Sequence, residues 1–245
     1  MENLSINQLH ELAHKWTKQL EHYLNDAVSL RKKIHASPRV SGDELDTKQL
    51  VEEAMQIELS DVAETGGITR FGPERGPAVG LRGELDALPV QEQTGVDYAS
   101  TNEAMHACGH DIHLAALVAV VRAAKDLPLP FAIAPFLQPR EETYPSGAKD
   151  IAESGHFAEL NLGAAIGAHV HPGLDSGQVA AGSGFVNAAA GEVIVEIAGA
   201  GGHGAYPHNA QDTAVCTAQI VTGLSEILRR TSDPMSPAVL SVGTI

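Results

Sequence analysis

The chain has 245 residues, enough for one large domain or for a domain and part of another, and enough to bury a core. Asp and Glu number 31 against 16 Lys and Arg, a formal charge of -15, which argues against nucleic acid or an anionic membrane as partner, since both need clustered cations. No apolar run reaches the ~20 residues of a membrane span. The N-terminal stretch is polar and amphipathic rather than a signal peptide, so the expected location is the cytoplasm. Two cysteines far apart, Cys108 and Cys216, make a poor disulfide framework.

In chain order, Ile6, Leu9, Leu12, Trp16, Leu20, Tyr23, Leu24, Val28 and Ile34 recur at three and four, which predicts one amphipathic helix ending at Ser37-Pro38. His10 and His14 ride on its solvated face. A second helix is expected over residues 43–59, on the looser stripe of Leu45, Leu50, Met55 and Leu59. After the Gly66-Gly67 break come a short strand over 68–71 and a turn-rich connection over 72–77. Residues 78–85 read as a buried strand that delivers Asp86 at its carboxyl end.

The chemistry concentrates at residues 105–113, where Cys108, His106, His110, His113 and Asp111 precede a long apolar run. Thiolate and neutral imidazole are the usual ligands of zinc and its neighbours, and an i, i+2 pair in an extended segment projects both side chains to one side. Cys108 and His110 fit that pattern, with Gly109 between them free to bend; Asp111 and His113 are candidates for orienting the ligands by hydrogen bonds. A buried helix follows over 114–125, a strand over 131–137 ending at Glu141 and Glu142, a short helix over 151–157, and a third buried strand over 164–168 ending at His169. Four segments thus bring metal-compatible residues to the carboxyl ends of strands, where open α/β sheets bind ligands.

Past residues 182–184 the pattern changes. A half-exposed strand over 191–197, a glycine-rich loop over 198–204, a helix over 212–230 and a strand over 238–245 suggest a β-α-β unit of a second, smaller domain. The glycine run is no dinucleotide fingerprint, because a His and a Pro intervene before the helix. The expected fold is α/β: an open mixed sheet with helices on both faces over 1–183, plus a partial α+β lid over 184–245.

Four motifs carry a resemblance: Met-His-Ala-Cys-Gly-His-Asp over 105–111, Leu-Arg-Gly-Glu-Leu-Asp-Ala-Leu-Pro over 81–89, Gln-Pro-Arg-Glu-Glu over 138–142 and Gly-Gly-His-Gly-Ala-Tyr-Pro-His over 201–208. With them the chain, from about residue 31 to its end, resembles the metal-dependent amidohydrolases that include hippurate hydrolase, N-acyl-amino-acid aminoacylases and plant auxin-conjugate hydrolases. The resemblance implies a catalytic domain with an inserted lid that mediates homodimerisation, and two divalent metal ions, zinc or manganese, per site. It implies Cys108 as the ligand shared between the metals, His110, Glu142 and His169 as further ligands, and Glu141 as general base toward a metal-activated water. Asp86 would support the metal shell, and His203 in the lid would polarise the carbonyl of a small N-acyl amino acid.

Two departures stand out. The resemblance leads to Asp where this chain has Glu84, and to a small residue where it has Arg140; a surface-pointing arginine is the expectation there. Similar proteins also continue further and supply a final histidine ligand, so this chain offers four of five ligands and half a lid. A relative that binds metal without turnover is therefore one alternative, and an exopeptidase acting on dipeptides is another. A zinc deaminase is disfavoured, because no Pro-Cys-x-x-Cys accompanies a His-x-Glu.

Overall fold

The computed structural model describes residues 4–236 and 238–245, which divide into two compact units, 1–188 and 189–245. The first unit begins with two helices where one was expected, α1 (Ile6–Glu21) and α2 (Leu24–Ala36). Ser5 opens α1 with a capping box, its side chain accepting from the Gln8 amide while Gln8 accepts from the Ser5 amide at 2.8 Å. The break at His22-Tyr23 lets each helix lay its own stripe on the same partner, α4 (His110–Ala124): Trp16 of α1 donates to the Val120 carbonyl at 3.0 Å, and Ala27 of α2 packs on Ala115 and Ala119. α2 stops at Ser37, before Pro38. α3 (Leu45–Met55) is shorter than the expected 43–59 and ends on Gln56 in the left-handed region.

The sheet has five strands, β1 (Ser60–Val62), β2 (Gly66–Ile68), β3 (Ala78–Glu84), β4 (Ala132–Gln138) and β5 (Leu162–Ile166), in the order β1-β2-β4-β3-β5. β4, β3 and β5 are parallel; β1 and β2 are antiparallel, so the sheet is mixed. β2 occupies 66–68 rather than 68–71, and Phe71 keeps only a single bridge to Ile133. β5 starts two residues before the expected 164 because its pairing begins where Leu162 meets Ala78, and it is exposed rather than buried because it is the edge strand of the sheet.

Both faces are covered. Leu137 of β4 packs with Leu114 and Leu117 of α4, while its neighbour Phe136 points the other way, onto Ile151 of α5 (Gly147–Glu153) and, with ring centroids 5.4 Å apart, onto Phe157 of α6 (His156–Glu159). The crossover through α4 therefore lies on one face and that through α5 and α6 on the other. From β3 the chain moves to β4 on one side and then to β5 on the opposite side, which puts the topological switch point between the carboxyl ends of β3 and β5.

The second unit holds one long helix, α7 (Thr213–Thr231), capped by Asp212, whose side chain accepts from the Val215 amide at 2.9 Å. Gln211 ties back to the glycine-rich loop by two 2.8 Å bonds with Ala200. Residues 191–197 and 238–245 belong to no ladder among the described residues. Alternation of apolar residues favours extended backbone, but a strand exists only with a paired neighbour. No helix of the described residues is long and apolar enough to cross a membrane.

Candidate metal centre

Four chain segments meet at the switch point. β3 ends in Glu84 and leads to Asp86; β4 leads to Glu141 and Glu142; β5 leads to His169; and Cys108 and His110 flank the start of α4. Cys108 and His110 are not on an extended segment: Cys108 lies in a turn and His110 is the first residue of the helix. Gly109 between them has φ of 87°, and that left-handed turn directs both side chains to one place.

Cys108, His110 and His169 present ligand atoms within 4.8 Å of one another, and so do His110, Glu141 and Glu142. Cys108 Sγ stands 3.5 Å from His169 Nε2, and His110 Nε2 stands 3.8 Å from Glu141 and 3.9 Å from Glu142. His110 Nδ1 donates to the Asp86 carbonyl at 2.9 Å, which fixes the tautomer and leaves Nε2 as a lone-pair donor facing the cluster. Asp86 contributes no atom to these groups. Its Oδ2 accepts from Ser41 Oγ at 2.6 Å and from the Glu142 amide at 2.9 Å, so it braces the loop that carries Glu142.

Electrostatically the cluster is short of positive charge. Burial, together with the carboxylates of Glu142, Glu141 and Glu84, pushes the Cys108 thiol up to about 12. Burial likewise raises Glu142, against the opposing pull of Cys108 and His110. His110 Nε2 and Glu142 Oε1 are buried with no hydrogen-bond partner. Such groups are costly to bury unless something pairs with them, and a divalent cation among N, O and S donors does so while favouring the thiolate. The residues fit a metal.

Arg140 turns away from the cluster without reaching the surface as expected: its side chain is 12% exposed, and at φ of 48° it pairs with Glu64, Asp150 and the Ala63 carbonyl. The cation facing the expected base is Arg82, 3.7 Å from Glu141. Glu44, fully buried, accepts from the Arg140 amide at 2.9 Å and from Thr65 Oγ1 at 2.6 Å and so anchors the Glu141 loop. No sequence signal marked Glu44, Ser41 or Arg82, whose hydrogen-bond partners lie 21 to 96 residues away in the chain. Asp111 and His113 touch none of the candidate ligands through hydrogen bonds: Asp111 takes Arg31 and His35 at 2.7 Å each, and His113 takes Glu84 and the Val170 amide.

A cavity of about 610 Å³ opens beside Cys108 and His169, walled by Val96, Met105, Ile112, Val170 and Pro172 with Arg31 and Tyr98 at its polar side. His106 in its wall is buried, and that burial pushes its imidazole down to about 4, so it is neutral. His203 belongs to the second unit, where it is exposed and accepts from the Ala205 amide at 3.1 Å.

Comparison with known proteins agrees with this architecture. The chain is 36% identical over 225 residues to the N-acyl-L-amino acid amidohydrolase of Geobacillus stearothermophilus, matching 89% of this chain and 60% of that one. Among solved structures it superposes on a protein of methicillin-resistant Staphylococcus aureus, described as a candidate aminohydrolase, with TM-score 0.71 and 26% identity over 94% of this chain and 63% of the other. It also superposes on the Bacillus subtilis YXEP protein, a dinuclear metal binding peptidase from the M20 family, with TM-score 0.56 and 32% identity over 63% of this chain and 45% of the other. The chain spans about 60% of the length of the curated relatives it matches. With the pattern of that family matching residues 80–244, most of the sheet and every residue of the cluster, the chain belongs to peptidase family M20/M25/M40.

Proposed function

We propose that this chain carries the metal centre of an amidohydrolase that cleaves the amide bond of a small N-acyl amino acid. Cys108, His110, Glu142 and His169 would hold two divalent cations, zinc or manganese. The observation that carries the reading is the pair of buried, unpartnered atoms, His110 Nε2 and Glu142 Oε1, in a cluster where His110 gathers with Cys108 and His169 and also with Glu141 and Glu142. When bound, such cations polarise a carbonyl and make water acidic enough to attack it near neutral pH. Glu141 is the residue left to move protons. Its side chain is 33% exposed against 17% for Glu142, so it is the freer of the two carboxylates and would take a proton from water at a carboxylate oxygen and return it to the leaving amine.

Asp86 and Ser41 hold the Glu142 loop, and the cavity beside Cys108 would seat the substrate while its apolar wall excludes water. Residues 184–245 would form a lid whose His203 donates to the carbonyl oxygen, in a homodimer built through that lid. A reducing compartment such as the cytoplasm keeps Cys108 a thiol ready for metal.

The test is metal content by elemental analysis together with hydrolysis of N-acetyl and N-benzoyl amino acids. Wild type is expected to carry zinc or manganese and Cys108→Ala to lose most of it. Glu141→Gln is expected to keep its metal while turnover drops about 10²- to 10⁴-fold. A wild-type protein that retains no divalent metal after equilibration with either ion sinks the reading.

A further inference from the structure

His169 is the most loosely held of the candidate ligands. It follows β5 in an exposed segment without regular secondary structure, and its Nδ1 donates to the adjacent Val170 carbonyl at 2.6 Å, which turns Nε2 toward Cys108. The next amide, that of Val170, donates to His113 Nε2 at 3.0 Å. An accepting Nε2 carries no proton, so the ring proton sits on Nδ1, from which it is donated to Glu84 Oε2 at 3.1 Å. Both nitrogens of His113 are thereby committed. That removes it as a ligand, even though Glu84, His110 and His113 offer atoms within 4.8 Å of one another.

The pair is buried and anchored. Glu84 and His113 are 1% and 7% exposed, and the other Glu84 oxygen meets Arg82 Nη1 at 3.0 Å. Arg82 in turn donates to Gln138 at 2.7 Å and stands 3.7 Å from Glu141. The rings of His113 and His169 meet edge to face with centroids 4.5 Å apart. A buried carboxylate at the end of β3 and a buried imidazole in the first turn of α4 have no part in the proposed chemistry, yet the imidazole holds the backbone immediately beside a ligand.

We infer that Glu84 and His113 form a clamp that sets the position of His169, with His113 acting as a positioning residue through the Val170 amide. The inference rests on the proposed metal centre and goes beyond it, because neither residue is a ligand or a base there. Ligand-orienting partners typically contribute 10- to 100-fold to metal affinity, and the clamp is expected to act in that range.

The experiment is a double-mutant cycle on zinc affinity, measured by competition with a chromophoric chelator, with the visible spectrum of the cobalt(II)-loaded protein as second readout. His113→Leu and His169→Ala should each weaken zinc about 10- to 100-fold and alter the cobalt bands. In the double variant the His113 substitution should cost less than about twofold more, because a clamp without its ligand has nothing to place. His113→Gln, whose carbonyl can take the Val170 amide, should regain most of the affinity. Additive losses, or wild-type affinity in His113→Leu, overturn the clamp while the metal centre stands. Unchanged affinity in His169→Ala overturns the metal centre and the clamp with it. Should His113→Leu fail to fold by circular dichroism, Glu84→Gln replaces it in the same cycle, with a smaller loss that must vanish in the His169→Ala background.

Discussion

Gly109 separates two candidate ligands and also sits under a third segment. Its φ of 87° disfavours any residue with a Cβ, and a Cβ there would fall 2.5 Å from Val170 Cγ2. Gly109→Ala must therefore bear a left-handed backbone, about 1–2 kcal/mol, and also push Val170, the neighbour of His169, out of place. The metal-free protein is expected to lose at least that much stability in urea titrations, and zinc affinity should fall with it; stability lost without any change in zinc binding would detach Val170 from the site. At this scale the sequence exposed residue types and their order. Cys108, His110, Glu141, Glu142 and His169 could be collected at one sheet edge because each follows a strand or precedes a helix. Of what orients them, Asp86 and His113 stood in legible motifs, but Glu84, Ser41 and Glu44 did not, because they work through hydrogen bonds to residues distant in the chain.

Among the elements, α4 connects core to chemistry. Its Leu114 is fully buried with Leu85, Leu117 and Leu137, and the first turn just before it carries His110, Asp111 and His113, all buried. Leu114→Ala is expected to cost about 2–5 kcal/mol, read as a lower urea midpoint with an unchanged slope. Apolar periodicity set the start of this helix at residue 114 instead of 110, because its first turn is made of polar residues that are buried against specific partners. Continuous apolar runs made β3 and β4 legible to within about a residue. β1 and β2, three residues each, are defined by mutual pairing and left no comparable pattern. The same logic explains residues 191–197, where Val193 and Val195 alternate as in a strand yet remain exposed without a partner. Periodicity reports which face an element would bury, and pairing decides whether the element forms.

Across the first unit as a whole, a buried charge network joins parts that the sheet does not connect. Arg31 and His35 of α2 bind Asp111 of α4 at 2.7 Å each, and His35 Nε2 also meets Glu92 in the loop between β3 and α4 at 3.1 Å. Glu92 further accepts from Thr94 and, at 2.6 Å, from the Ser100 amide, which folds that loop around it. Burial alone would raise this carboxyl, but the bonds from Thr94, Ser100 and His35 outweigh it and hold Glu92 at about 2, against an ordinary 4.5. Between those two values the unfolded chain binds a proton that the folded chain refuses, so the unfolded state gains as pH falls. The contribution of Glu92 is thus whole above pH 4.5 and is lost progressively as pH drops toward 2. Glu92→Gln cannot titrate and forfeits the charged bonds at every pH. It should be less stable than wild type at pH 7, with the gap in unfolding free energy shrinking steadily between pH 4.5 and about 3 in urea titrations of metal-free protein. Acid-titrating groups that do not touch the Glu92–His35 network are common to both proteins and cancel in the difference. A gap that stays constant across that window would mean that Glu92 holds the loop by shape alone and that its charge contributes nothing to the fold.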